Sequence, residues 1–360
     1  MSSSGHFRSL VVGVVFSIGL AFNLEASDWP ASAAAQLCGP GQSLCSDLCV
    51  DLLSDPANCG RCGRSCLGGA CTNGQCQPQT LATEQWLPCG VAEDKYFVYW
   101  ANFFEGSVKR VPRTGGEIVT LATGQPGACS VAVDNFHVYW ANDVPVNGEI
   151  MRMPKWGGQP VTLADGQDLP TGLAVHNGYV YWTEAGVDGD VMKVRASGGE
   201  LVTLATGQTA GAGIVVQGPF VYWVTAHPTE GRVMKVPVFG GQAVTLASGQ
   251  PGPRGIAVSG LDVYWTNAEG GTVMRTSIFG GPIRTLATGQ VGAYTIAVDR
   301  DSVYWAINSA EGRVAKVPRR GGPVTTLASG QSNPAGIAVD VEALYWAAAG
   351  GGTVSRVVKD

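Results

Sequence analysis

The sequence predicts an all-β chain: a seven-bladed β-propeller closed by an N-terminal strand, preceded by a small disulfide-rich module. Three observations carry this prediction. The dipeptide Tyr-Trp occurs seven times, with tryptophan at Trp100, Trp140, Trp182, Trp223, Trp265, Trp305 and Trp346, in steps of 40 to 42 residues. The phrase Thr-Leu-Ala keeps the same steps, beginning at Thr80, Thr120, Thr162, Thr203, Thr245, Thr285 and Thr326. The last Tyr-Trp unit lacks that phrase, and the first phrase, at residues 79–82, has no Tyr-Trp before it. Units of this period built from four short apolar bursts mark propeller blades. The two incomplete ends make one blade if the ring closes on itself, which avoids leaving a broken unit with open sheet edges.

Taken in chain order, residues 1–26 read as a secretory signal. His6 and Arg8 precede an apolar run at residues 10–22, which is short for a membrane span but suits an export signal. Cleavage is expected near Ala26 or Ala34, with a linker over 27–37, and no membrane span is expected in the mature chain. The expected location is secreted, extracellular or in the cell envelope. The formal net charge of the 360-residue chain is −5, with 14% charged residues and no long run of one sign. Nucleic-acid binding, which needs a concentrated basic face, is therefore not expected.

Residues 38–76 form the expected module. They hold Cys38, Cys45, Cys49, Cys59, Cys62, Cys66, Cys71 and Cys76. A dense, even set behind an export signal reads as a disulfide framework. Cys59 and Cys62 also have zinc-ligand spacing, but the compartment favours disulfides, and no metal or cofactor is expected. Spacing alone leaves the pairing open. The words LCVDLLSDPANCGRCGRSC and CTNGQC resemble the stigma-specific protein family over residues 45–76, a likeness that implies an extracellular setting and protein or lipid contact.

Residues 77–360 form the expected propeller. In the sixth unit the bursts are 295–299, 302–306, 313–318 and 324–328, each bounded by Gly, Pro, Asn or Ser. The seven tryptophans are expected to fill the gaps between blades. A third track, Arg110, Arg152, Lys193, Lys235, Arg275, Lys316 and Arg356, is expected to pack its stems between blades and send its heads to carbonyls, acids or rings. The wording VYWAN, VYWTE and VYWTN, with GIAVD upstream, resembles the YWTD propellers of low-density lipoprotein receptors. That family usually has six blades. Its fourth letter, Asp, is here Asn102, Asn142, Glu184, Thr225, Asn267, Ile307 and Ala348.

Function should lie where the copies disagree. The loops between blades and those after each second strand share one face, around the channel mouth. The second-strand loops supply Glu105, Asp143, Glu184, Asp188, Glu230, Glu269 and Glu311, with His227 beside Glu230. The residue just before each innermost strand varies most: Cys89, Cys129, Thr171, Ala212, Arg254, Tyr294 and Ala335. A ligand-binding rim is accordingly expected at Glu105, Asp143, Glu184, Asp188, His227, Glu230, Arg254, Glu269, Tyr294 and Glu311. Cys89 and Cys129, at equivalent positions in neighbouring units, are expected to form a disulfide. No catalytic residue is assigned. Streptogramin lyases and gluconolactonase-like propellers hold a metal or base at the mouth, so a lyase- or lactonase-type enzyme is the alternative, and a structural envelope or matrix component is another. The leading expectation is a monomeric secreted binding or scaffold protein presenting its rim to a protein, glycan or small ligand.

Overall fold

The structure, a computed structural model, describes residues 38–359. The signal run, its cleavage region and the linker lie outside the described residues, as does Asp360. Among the described residues every regular element is a strand. Seven antiparallel sheets of four strands follow one another round a ring. The first blade runs Pro88–Glu93, Phe97–Asn102, Ser107–Pro112 and Val119–Ala122, from axis to rim. Innermost strands of successive blades lie side by side, and the last, Pro334–Val339, sits beside the first, Pro88–Glu93.

The ring closes as the divided repeat requires. Gln79–Ala82 pairs antiparallel with Thr353–Val358, placing Val354 opposite Ala82, Ser355 opposite Thr80 and Arg356 opposite Gln79. The closing blade therefore takes three strands from the C-terminal end and one from the N-terminal end. Two boundaries differ from the sequence reading. The outermost strand of three blades runs past Thr-Leu-Ala to a glutamine, as in Val244–Gln250. The innermost strands start earlier than expected, so Cys89, Thr171 and their counterparts lie inside strands rather than before them.

The Tyr-Trp pair explains the packing. Consecutive strand residues face opposite sides of a sheet, so each blade offers its tryptophan to one neighbour and its tyrosine to the other. Tyr99 shares a core cluster with Trp140, Tyr139 with Trp182, and so on round to Tyr345 with Trp100. All seven tryptophans are fully buried. Deleting one such side chain to alanine costs about 3–5 kcal/mol, so the seven clusters are the main stabilising element of the ring.

The module is two small hairpins, Ser43–Cys45 with Leu48–Val50 and Cys71–Thr72 with Gln75–Cys76. Disulfides join Cys38 to Cys49, Cys45 to Cys62, Cys59 to Cys71 and Cys66 to Cys76. The module is seated against the closing blade. Leu67 packs on the cluster of Trp100 and Tyr345, Val358 packs on the buried cysteines, and the Arg356 guanidinium donates to the Leu67 carbonyl.

Candidate ligand site at the channel mouth

The mouth is framed by a ring of glutamines. A buried indole N–H needs an acceptor, and in every blade Trp Nε1 donates to the Oε1 of a glutamine fifteen residues earlier: Trp100 to Gln85, Trp140 to Gln125, Trp182 to Gln167, Trp223 to Gln208, Trp265 to Gln250, Trp305 to Gln290 and Trp346 to Gln331. Distances run from 2.8 to 3.1 Å. Each glutamine Nε2 donates in turn to a carbonyl two residues back, as Gln85 does to Thr83 at 2.7 Å. Each inter-blade loop is thereby tied to the second strand of the blade it enters. Asn102, Asn142 and Asn267, at the fourth letter of the Tyr-Trp phrase, also donate to the same glutamine oxygens.

The basic track works at the opposite ends of the strands. Arg110 donates to the Lys155 carbonyl at 2.6 Å, Lys235 to Ile278 at 2.6 Å and Arg275 to Arg319 at 3.1 Å, each reaching the next blade. Arg152 and Arg356 reach the Ala196 and Arg113 carbonyls in the same way. The Arg110 guanidinium lies 4.2 Å from the Phe97 ring centroid, and Lys235 Nζ 4.7 Å from that of Phe220. These heads join one blade to the next and leave no ring of cations at the mouth.

At the mouth lies an axial cavity of about 570 Å³ walled by the innermost strands of all seven blades. An innermost strand has a sheet neighbour on one side only, so its other backbone edge faces the axis. Close approach of the strands goes with glycine in five of the seven blades, Ser130 and Thr295 standing there in the other two. A Cβ on Gly90 would stand 2.1 Å from the Cys129 carbonyl oxygen, and one on Gly336 the same distance from that of Cys89. Next to this position comes the variable one. Five blades place Cys89, Cys129, Thr171, Ala212 or Ala335 there, and blades 5 and 6 place Arg254 and Tyr294. An aliphatic residue follows in each blade, such as Val91, Ile214, Ile256 or Ile337.

Of the rim residues expected from sequence, the structure brings Arg254, Tyr294 and Asp143 to this cavity. The Arg254 guanidinium lies 5.9 Å from the Tyr294 ring centroid and 3.7 Å from Glu269 Oε1. Burial pushes the Asp143 carboxyl up to about 6, and its Oδ1 is enclosed without a hydrogen-bond partner. Glu105 is instead paired with Lys109 at 2.8 Å and with Asn102. Glu184 accepts the backbone N–H groups of Asp168 and Asp190, although burial still raises its carboxyl. His227 is exposed, and its Nδ1 accepts the Thr229 and Glu230 N–H groups, so the ring shapes its own loop. Asp188, Glu230 and Glu311 are exposed on their loops, outside the cavity lining.

Cys89 and Cys129 are bonded across neighbouring innermost strands, their Cα atoms 5.3 Å apart, within the reach of a disulfide. In the module, the sulfurs of Cys59, Cys66 and Cys76 lie within 4.8 Å of one another, but all three belong to disulfides, which removes them as thiolate ligands.

Residues 21–90 match the Stigma-specific STIG1-like protein family, a span that takes in the cysteine-rich segment and the first propeller strands. No curated protein matches the chain. Among solved structures, virginiamycin B lyase from Staphylococcus aureus superposes with a TM-score of 0.67 at 14% identity, over 79% of this chain and 99% of that one. The computationally designed Ika8 protein gives 0.60 at 16%, over 78% and 98%. A nidogen/laminin complex gives 0.56 at 17%, over 67% and 96%. At these identities the likeness is one of fold. The chain is a seven-bladed β-propeller carrying, at its N-terminal side, a cysteine-rich module whose segment is similar to the stigma-specific family.

Proposed function

We propose that this chain is a secreted, monomeric, non-enzymatic binding protein that takes a ligand at the mouth of its propeller, with the cysteine-rich module fixed to the far side of the closing blade. One observation supports this most. The repeat uses its constant residues to hold blades together, whereas of the three successive positions that each blade turns to the 570 Å³ cavity the first changes from small residues to Arg254 and Tyr294. A concave, mostly preformed cleft of this size with a few polar groups suits a small ligand. The five disulfides and the stigma-specific likeness favour an oxidising, extracellular setting.

The test is to plug the cavity. Full-length protein and the variants Ala212→Trp and Ala335→Trp would be incubated with fractionated extracellular medium and read by native mass spectrometry. Wild type should retain a small ligand that both plugged variants lose while melting at the same temperature. Equal retention by all three would remove the mouth from the account. The lyase-type alternative has less support. Such chemistry needs convergent acid and base groups, and Asp143 is the one carboxylate among the described residues lining the cavity. Turnover of a compound found in the medium, lost in Asp143→Asn, would reverse this preference.

A further inference from the structure

We propose that the mouth cavity selects a small monocarboxylate with an apolar body, held by Arg254 and Tyr294; this rests on the reading of the mouth as the ligand site. The ring is lopsided. Small side chains at five blades leave the cavity open there, while blades 5 and 6 raise a cation and an aromatic ring side by side. Guanidinium is planar, always charged, and matches a carboxylate with two parallel N–H donors. The Tyr294 ring beside it offers a flat apolar wall for the carbon skeleton next to that carboxylate. Deeper in, the aliphatic residue of each blade supplies an apolar lining.

Arg254 is only loosely engaged within the protein. Its ion pair with Glu269 spans 3.7 Å, and both side chains are more than a third exposed, 37% and 44%. Exposed pairs of this kind contribute little, so a ligand carboxylate can take Glu269's place. The other charged group in the lining, Asp143, sits three blades away across the ring and turns one oxygen into the protein. The cation, rather than the acid, is thus the group best presented to a ligand. An amine would meet Arg254 with like charge.

The experiment titrates the full-length protein with 2-naphthoate, with neutral 2-naphthamide, and with cationic 2-naphthylmethylamine, by calorimetry at pH 7. Naphthoate should bind about tenfold tighter than the amide, as one charge-assisted bidentate contact warrants, and the amine should bind weakest. Arg254→Gln should erase the difference between acid and amide without lowering the melting temperature. Glu269→Gln should tighten naphthoate several-fold by removing the competing carboxylate, a gain that a merely structural Arg254–Glu269 pair would not give. Equal affinities for acid and amide, or a preference for the amine, overturn the proposal but leave the mouth as a binding cavity if Ala335→Trp blocks all three. No binding of any probe up to about 1 mM, a limit of roughly 4 kcal/mol, also overturns it. The plugged-cavity experiment on natural ligands still decides the broader reading in that case.

Discussion

Two arcs of the ring build the same joint differently. From blade 6, through the closing blade, round to blade 2, each blade sends a cation onto the tyrosine or aspartate of the blade before it. Arg319 Nε donates to the Tyr264 hydroxyl at 2.9 Å, Lys359 Nζ lies 2.5 Å from Asp299, and Lys155 Nζ lies 2.6 Å from Asp94. Arg113 pairs with Asp340 and donates to the Tyr345 hydroxyl at 2.7 Å. At the other three seams the cation position holds Ala196, Val238 or Ile278, packed into the clusters of Tyr139, Tyr181 and Tyr222. Two of the facing acids are replaced as well, by His176 and Gln217. A buried ion pair adds little net stability but is costly to half-remove, whereas an apolar filler has neither property. The ionic arc contains the blade assembled from two distant parts of the chain and bears the module.

The largest expected effect comes from breaking one ionic joint. Asp340→Ala removes the buried carboxylate from Arg113, leaving it the Tyr345 hydroxyl and the exposed Glu342, and should cost about 3 kcal/mol in urea unfolding, while His176→Ala in the apolar arc should stay within about 1 kcal/mol. Equal losses would mean that the arcs do not differ in kind. A smaller effect is expected from converting one joint into the other. Lys155→Val alone leaves Asp94 without its cation and should cost about 2–3 kcal/mol, whereas Lys155→Val with Asp94→Gln should return to within about 1 kcal/mol of wild type.

The smallest effect is a dependence on pH at the closing seam. Six blades place valine at the position where the first blade has Glu93. Burial, with Asp340 nearby, raises the Glu93 carboxyl to about 7 against the pull of Arg113. Because that value lies above the ordinary 4.5, the folded state holds the proton more tightly. Stability therefore falls as pH rises from about 4.5 to 7, and the full cost is present above 7. Glu93→Gln should then gain about 1 kcal/mol at pH 8, a figure discounted for solvent screening, with no gain at pH 4.5. Asp94 behaves oppositely. Burial alone would raise its carboxyl, but the Lys155 ammonium and backbone N–H groups hold it below the ordinary value. Its contribution is present above the unfolded value and is lost in acid. Denaturation at pH 8, 6 and 4.5 follows Glu93, and extending the series below the ordinary 3.8 of Asp94 brings in the loss of its contribution.

Most of the fold was legible because each large apolar residue recurs at the blade period. Trp100 and Thr80 each belong to a seven-fold track, and the split repeat told where the ring closes. The glutamine track from Gln85 to Gln331 keeps the same steps, yet it reads as turn chemistry, since a buried polar residue shows its role only beside its partner. The site was less legible for the opposite reason. Arg254 and Tyr294 are single departures, and nothing in their spacing says that blades 5 and 6 stand shoulder to shoulder at a cavity. The acidic rim drew attention by composition, but Glu105 and Glu184 are occupied in holding loops.

The closing strand has a consequence for how the molecule is made. Synthesis produces residues 79–82 long before their partners, 353–358, so the propeller's first strand waits unpaired while six complete sheets emerge. Pairing across such a separation in sequence is slow. The wheel can be sealed only after translation has all but finished, and the waiting strand is short and tethered to a compact module cross-linked by four disulfides.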